Sequence, residues 1–185
     1  MKAYGFSLLE ALLALAVAAT VSAIALPTFA EFVARQQATA AVNQLVGAIR
    51  TARHAAVTGR QNIALCAAEH GSCLGRNQWH RGAMIFADRN ADGARQLAEP
   101  VIATLPPLPD GARISWRSFR NRAYLLFRGS GMTDWQNGTF TYCPANNDLR
   151  VAKAVIINAQ GRLAKSGDAN ADGVDEDARG RPLRC

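Results

Sequence analysis

The chain has 185 residues, which suits one domain with a modest extension and is long enough to bury a real core. It is 49% hydrophobic, a share inflated by alanine in the first third, and 21 Lys+Arg against 14 Asp+Glu give a net charge of +7. That balance favours polyanionic partners, nucleic acid or anionic lipid, over acidic ligands and leaves the fold open.

The chain opens with a five-residue leader, "MKAYG", holding one lysine. Phe6 to Ala30 then form an apolar run with a single charge, Glu10, long enough to span a bilayer as a helix. No A-x-A site followed by a polar start is present, so the run reads as retained rather than as a removed signal peptide. A carboxylate inside a membrane segment is costly and usually has a function, which marks Glu10, with a glutamate tolerated close to the headgroups as the alternative. Pro27 near the end of the run is where a helix is expected to kink or break.

Beyond Pro27 the helical period persists. Val42, Leu45, Val46, Ile49, Ala52 and Ala56 recur at helix spacing, while arginines, glutamines and Asn43 cover the other faces. This amphipathic helix continues to about Val57 and stops at Thr58-Gly59. From Arg60 the texture is β. The runs "NIALCA", "GAMIFAD", "PVIATL", "ARISW", "AYLLFR", "GTFTYC" and "AKAVIIN" are separated by Gly, Pro, Asn and Asp. The expected fold is α+β: a long N-terminal helix packed on a C-terminal antiparallel sheet. The segments are a leader (1–5), an apolar helix half (6–30), an amphipathic helix half (31–59), a globular β domain (60–165) and an acidic loop with a basic tail (166–185).

The four cysteines, Cys66, Cys73, Cys143 and Cys185, lie outside the apolar run. Behind a membrane-targeting segment their even number reads as two disulfides in an oxidising compartment. Of the three pairings, proximity favours Cys66–Cys73 with Cys143–Cys185. Zinc held by Cys66, His70, Cys73 and His80 is an alternative, although structural zinc sites usually use tighter cysteine pairs.

Two acidic loops carry the oxygen-rich pattern of calcium sites. "DRNADGARQLAE", Asp88 to Glu99, matches the twelve-residue calcium-loop spacing without evident flanking helices, and an Asx-rich turn explains it equally. "DANADGVDED" places Asp168, Asn170, Asp172, Asp175 and Asp177 around Gly173, and Ca2+ would relieve their mutual repulsion. The alternative there is a solvated, mobile acidic loop.

"RISWRSFRNRAYLLFR" carries Arg113, Arg117, Arg120, Arg122 and Arg128 with no acid, interleaved with Trp116, Phe119, Tyr124 and Phe127. The aromatics read as core, and the arginines as polyanion contacts. A second basic patch follows: Arg162, Lys165, Arg179, Arg181 and Arg184. No nucleophile–base arrangement surrounds His54, His70 or His80, and no phosphate-cradling glycine loop is present, so the expectation is a non-enzyme with no cofactor beyond Ca2+.

"GFSLLEALLALAVA" behind a short basic leader resembles the type III signal of type IV pilins and type II secretion pseudopilins. The resemblance implies cleavage by a prepilin peptidase between Gly5 and Phe6 and N-methylation of Phe6. It also assigns the family glutamate to Glu10, where it would pair with a neighbouring subunit's N-terminal amine, and the helix-breaking proline to Pro27. "AIRTARHAAVTGRQNIALC", "GAMIFADRNADG", "NGTFTYC" and "AVIINAQGRL" are similar to the GspH/FimT/FimU group of minor pilins and pseudopilins, most of all the FimT type, over most of the chain to about Leu163. FimT-type proteins are implicated in DNA capture for natural transformation and carry a Gly-Arg-x-Arg element after the last strand. Here Gly161 and Arg162 match it, and Ala164 replaces the second arginine.

The implied function is a minor pilin that binds double-stranded DNA through surface Arg and Lys. Alternatives are a FimU-like assembly-priming pilin without DNA contact and a GspH-like secretion pseudopilin. Implied partners are major and minor pilins, the prepilin peptidase and the inner-membrane assembly platform. The precursor is expected in the inner membrane, and the processed protein in a pilus through the periplasm and on the cell surface.

Overall fold

A computed structural model describes residues 7–185, apart from the side chain of Pro27. Gly5 and Phe6 lie outside the described residues. Helix α1 spans Leu8–Gly59, and the residues divide into two compact units, Met1–Gln37 and Ala38–Cys185.

In the first unit α1 is predominantly apolar from Leu8 to Ala30 apart from Glu10, and exposed, with Leu8, Leu9, Leu12, Leu13, Leu15, Val17, Val21 and Ile24 open to the surroundings. This stretch is long and apolar enough to cross a membrane. Of the kink or break expected at Pro27, a break is not seen: α1 is continuous through that position. A proline removes only one backbone donor from a helix, and α1 keeps its helical path through that position.

In the second unit the remainder of α1 buries the stripe read from its period, Val42, Leu45, Val46, Ile49, Ala52 and Ala56. Nine strands follow: β1 (Ile63–Glu69), β2 (Ser72–Cys73), β3 (Ala83–Ala87), β4 (Val101–Leu105), β5 (Arg113–Ser118), β6 (Tyr124–Phe127), β7 (Gly138–Cys143), β8 (Lys153–Ile157) and β9 (Leu163–Lys165). They form two antiparallel sheets rather than one. In the first, β1 lies between β6 and β3, β4 extends the β3 edge, and β2 folds back on the end of β1. The second runs β5-β7-β8-β9.

The sheets differ in character. Strands β1, β3 and β6 are buried nearly end to end, as a sheet covered on both faces requires. Strand β5 instead alternates: Ile114 and Trp116 are buried, while Arg113 and Arg117 are exposed. Trp116 sits opposite Phe140 of β7 and stacks on it at 4.0 Å between ring centroids, and Trp79 meets the same ring edge-on at 4.9 Å. These aromatics occupy the inner side of the second sheet and leave its arginines on the outer side.

Candidate nucleic-acid interface

The capping of α1 begins with its sequence. Ser7-x-x-Glu10 is the capping-box spacing, and the Glu10 backbone N–H donates to Ser7 Oγ at 3.2 Å. A serine oxygen thereby satisfies one of the orphan donors of the first turn, and the Glu10 carboxylate lies in the turn that the helix dipole favours for an anion. Glu10 is exposed in the single chain.

Disulfides join Cys66 to Cys73 and Cys143 to Cys185. The thiols of the alternative zinc set, Cys66/His70/Cys73/His80, are therefore consumed. The second disulfide fixes the last residue of the chain to the end of β7. The tail is held further by backbone bridges of Glu176 to Gly167 and Pro182, and by the Leu183 N–H donating to the Asp175 carbonyl at 2.9 Å. Leu183 is buried with Ala152 and Ala154. The end of the acidic segment is thus built into the domain, with Asp175 and Glu176 both buried, while Asp168 to Gly173 stay exposed.

Pinning the tail creates a groove. Its walls come from the loop after β2 (Gly75–Gln78), the outer face of β5, strand β7, the end of β8 and the tail from Asp177 to Cys185. Arg76, Arg113, Arg117, Arg179, Arg181 and Arg184 line it against one acid, Asp177. Arg181 grips Asp177 at 2.7 Å, and that hydrogen bond holds the Asp177 carboxyl down to about 2. Arg113 and Arg76 bond Asn147 and Asn121 respectively. Phe119, 76% exposed, stands on the rim. It departs from the core reading that Trp116, Tyr124 and Phe127 satisfy, because it follows β5 on the same outward parity as Arg113 and Arg117.

The expected basic residues separate into groups. Arg117, Arg179, Arg181 and Arg184 converge on the groove. Arg120 and Arg128 face Asp134 at 3.8 and 2.9 Å, and Arg122 bonds the Tyr124 hydroxyl at 2.7 Å. Lys165 reaches Asn43 of α1 at 2.8 Å, and the Arg162 backbone N–H closes a turn with Asn158. Neither Arg162 nor Lys165 lines the groove. Arg76 was not singled out from the sequence, because nothing in its local pattern marks a residue that becomes basic wall only through tertiary placement.

The two acidic loops share a conformation. In each, the first aspartate (Asp88, Asp168) accepts from the N–H groups of the fifth and sixth residues, and Ala91 and Ala171 both adopt positive φ. Burial raises the Asp88 carboxyl above its ordinary value, against the lowering effect of the Gly93 N–H. In the second loop the expected oxygens do not all converge. Asp175 turns to Lys153 Nζ (2.8 Å) and Ser166 Oγ (2.6 Å), and Asp177 turns to Arg181. Glu176 joins Asp168 and Asp172 instead, with one carboxylate oxygen of each within 4.8 Å of the others.

A helix carrying an apolar, membrane-length first stretch and a β domain of antiparallel sheets is the architecture of pilins and pseudopilins. The model of the family described as type II transport protein GspH matches residues 41–161, more than half of the chain, so this protein belongs to the GspH family. Two crystal structures of the type IV minor pilin FimU of Pseudomonas aeruginosa superpose with TM-scores of 0.57 and 0.53, each at 19% identity. They cover 74% and 70% of this chain and 92% of their own. The minor pseudopilin EpsH of the Vibrio cholerae type II secretion system superposes with a TM-score of 0.51 at 12% identity, covering 75% of this chain and 99% of that one. No curated protein matches significantly. Membership in this family makes the protein a minor pilin or pseudopilin, a structural subunit that associates with other pilins in a pilus or pseudopilus.

Proposed function

We propose that this protein is a minor type IV pilin that presents the arginine-lined groove to double-stranded DNA. The observation that carries the reading is the convergence of six arginines from three sequence-distant segments around a single acid, with an exposed phenylalanine on the rim. Guanidinium groups neutralise phosphates and release counterions. Assembly would proceed through Glu10 and the amine created on Phe6 by cleavage after Gly5, an intersubunit pair that satisfies a carboxylate otherwise costly in lipid. The precursor is then an inner-membrane protein and the processed form a pilus subunit. The prepilin peptidase, the assembly platform and the other pilins are its partners.

Assembly without DNA contact is the second reading. It is favoured by the likeness to FimU and by Ala164, which leaves Arg162 without a companion arginine. A deletion strain complemented with the R117A/R179A/R184A variant separates the two. The proposal predicts normal pili with DNA uptake lost; lost pili would favour the priming role, and a protein-secretion defect the pseudopilin role.

A further inference from the structure

We infer that the loop from Asp168 to Glu176 is a Ca2+ site, made by Asp168, Asp172 and Glu176, that organises the C-terminal tail. Three carboxylates bring one oxygen each within 4.8 Å of one another. Glu176 supplies the second, independent observation. It is only 7% exposed, its Oε2 accepts from the Ala169 N–H at 2.8 Å, and its Oε1 is buried with no hydrogen-bond partner. A buried carboxylate oxygen without a donor is strongly unfavourable, and a bound cation removes that cost.

The sister loop supplies an internal control. It has the same Asp-x-Asn-x-Asp-Gly core and the same turn bonds, but its glutamate comes three residues later. There both oxygens of Glu99 are used, accepting from Arg89 N–H at 2.8 Å and Gln96 N–H at 2.9 Å. The first loop closes on its own backbone donors, whereas the second leaves an oxygen over. Asp175, the acid beside Glu176, is already matched by Lys153 and Ser166, so the unpaired charge belongs to the Asp168–Asp172–Glu176 set.

The donors identify the ion. All three carboxylates present oxygen, which suits a hard cation, and an irregular loop tolerates the flexible coordination of Ca2+ better than the strict octahedron of Mg2+. A +2 ion cuts the charge of three carboxylates from −3 to −1. Ca2+ would thus weaken the repulsion between this loop and a phosphate backbone at the neighbouring tail.

The test is calorimetric titration of Ca2+ into the full chain purified in detergent and stripped with chelator. The expected result is one ion per chain, an unfolding midpoint raised by about 5 °C or more at saturation, and affinity reduced about tenfold or more in Glu176→Gln. Glu99→Gln should bind as the wild type does. Asp172→Asn, at an exposed position, carries the same expectation as Glu176→Gln should the latter fail to fold. Absence of binding by the wild-type chain at millimolar Ca2+, or binding that survives both loop-two substitutions, overturns the inference.

Discussion

Gly93 and Gly173 hold equivalent places in the two acidic loops, at φ +76° and +88°, yet their surroundings differ. A Cβ at Gly93 would fall 2.0 Å from the Tyr124 ring, whereas one at Gly173 would meet nothing closer than the Arg150 stem at 4.0 Å. Gly173→Ala should therefore cost about 1 kcal/mol, the left-handed backbone penalty alone. Gly93→Ala should cost about 3 kcal/mol or more, because an overpacked core position is added. Chemical denaturation of the two variants checks the ordering, and equal losses would contradict the packing at Tyr124. At the other end of the chain, Glu10→Leu removes the carboxylate while leaving the Ser7 cap to the backbone. The variant should insert in the membrane yet be recovered from sheared pili at a small fraction of the wild-type level. Wild-type recovery would remove Glu10 from assembly.

Among the elements, the tail matters most, since the groove exists only while it is held. The Cys143–Cys185 disulfide spans 42 positions and Cys66–Cys73 spans 7. Loop-closure entropy assigns them about 4 and about 2.5 kcal/mol respectively. C185S should thus lower stability more than C73S does, and should alone weaken polyanion binding. The Asp177–Arg181 clasp adds a pH signature. Its folded carboxyl sits at about 2 against an ordinary 3.8, so the ionised form is favoured by folding. That contribution is fully present above about pH 4 and is lost as pH falls toward 2. The difference in melting temperature between wild type and D177N should be flat from pH 7 to 4 and shrink below.

The elements also show what the sequence could carry. All seven long apolar runs are strands because Gly, Pro and Asx turns bound them, and the stripe from Val42 to Ala56 is buried because a 3.6 period survives any tertiary detail. Strands β2 and β9, of two and three residues, are too short to show alternation and are defined only by the partners they meet. The continuity of α1 through Pro27 likewise does not follow from residue type alone. Within the acidic loop, composition nominates Asp175 and Asp177, but local bonds send them to Lys153 and Arg181 and leave Glu176 facing Asp168 and Asp172.

At the scale of the whole molecule, a GspH-family subunit combines an apolar helix stretch suited to a membrane with a basic β domain. Its net charge of +7 is not spread evenly by function: Arg120, Arg122 and Arg128 are engaged with Asp134 and Tyr124, while the groove gathers its arginines around one aspartate. Binding of a labelled DNA duplex by the full chain in detergent, followed across salt concentration, tests the DNA reading most directly. The account predicts that affinity falls steeply with salt, and that R117A/R179A/R184A reduces the slope of log K against log salt by about 3. Binding that is undetectable at low ionic strength, or a slope unchanged in the variant, would contradict it.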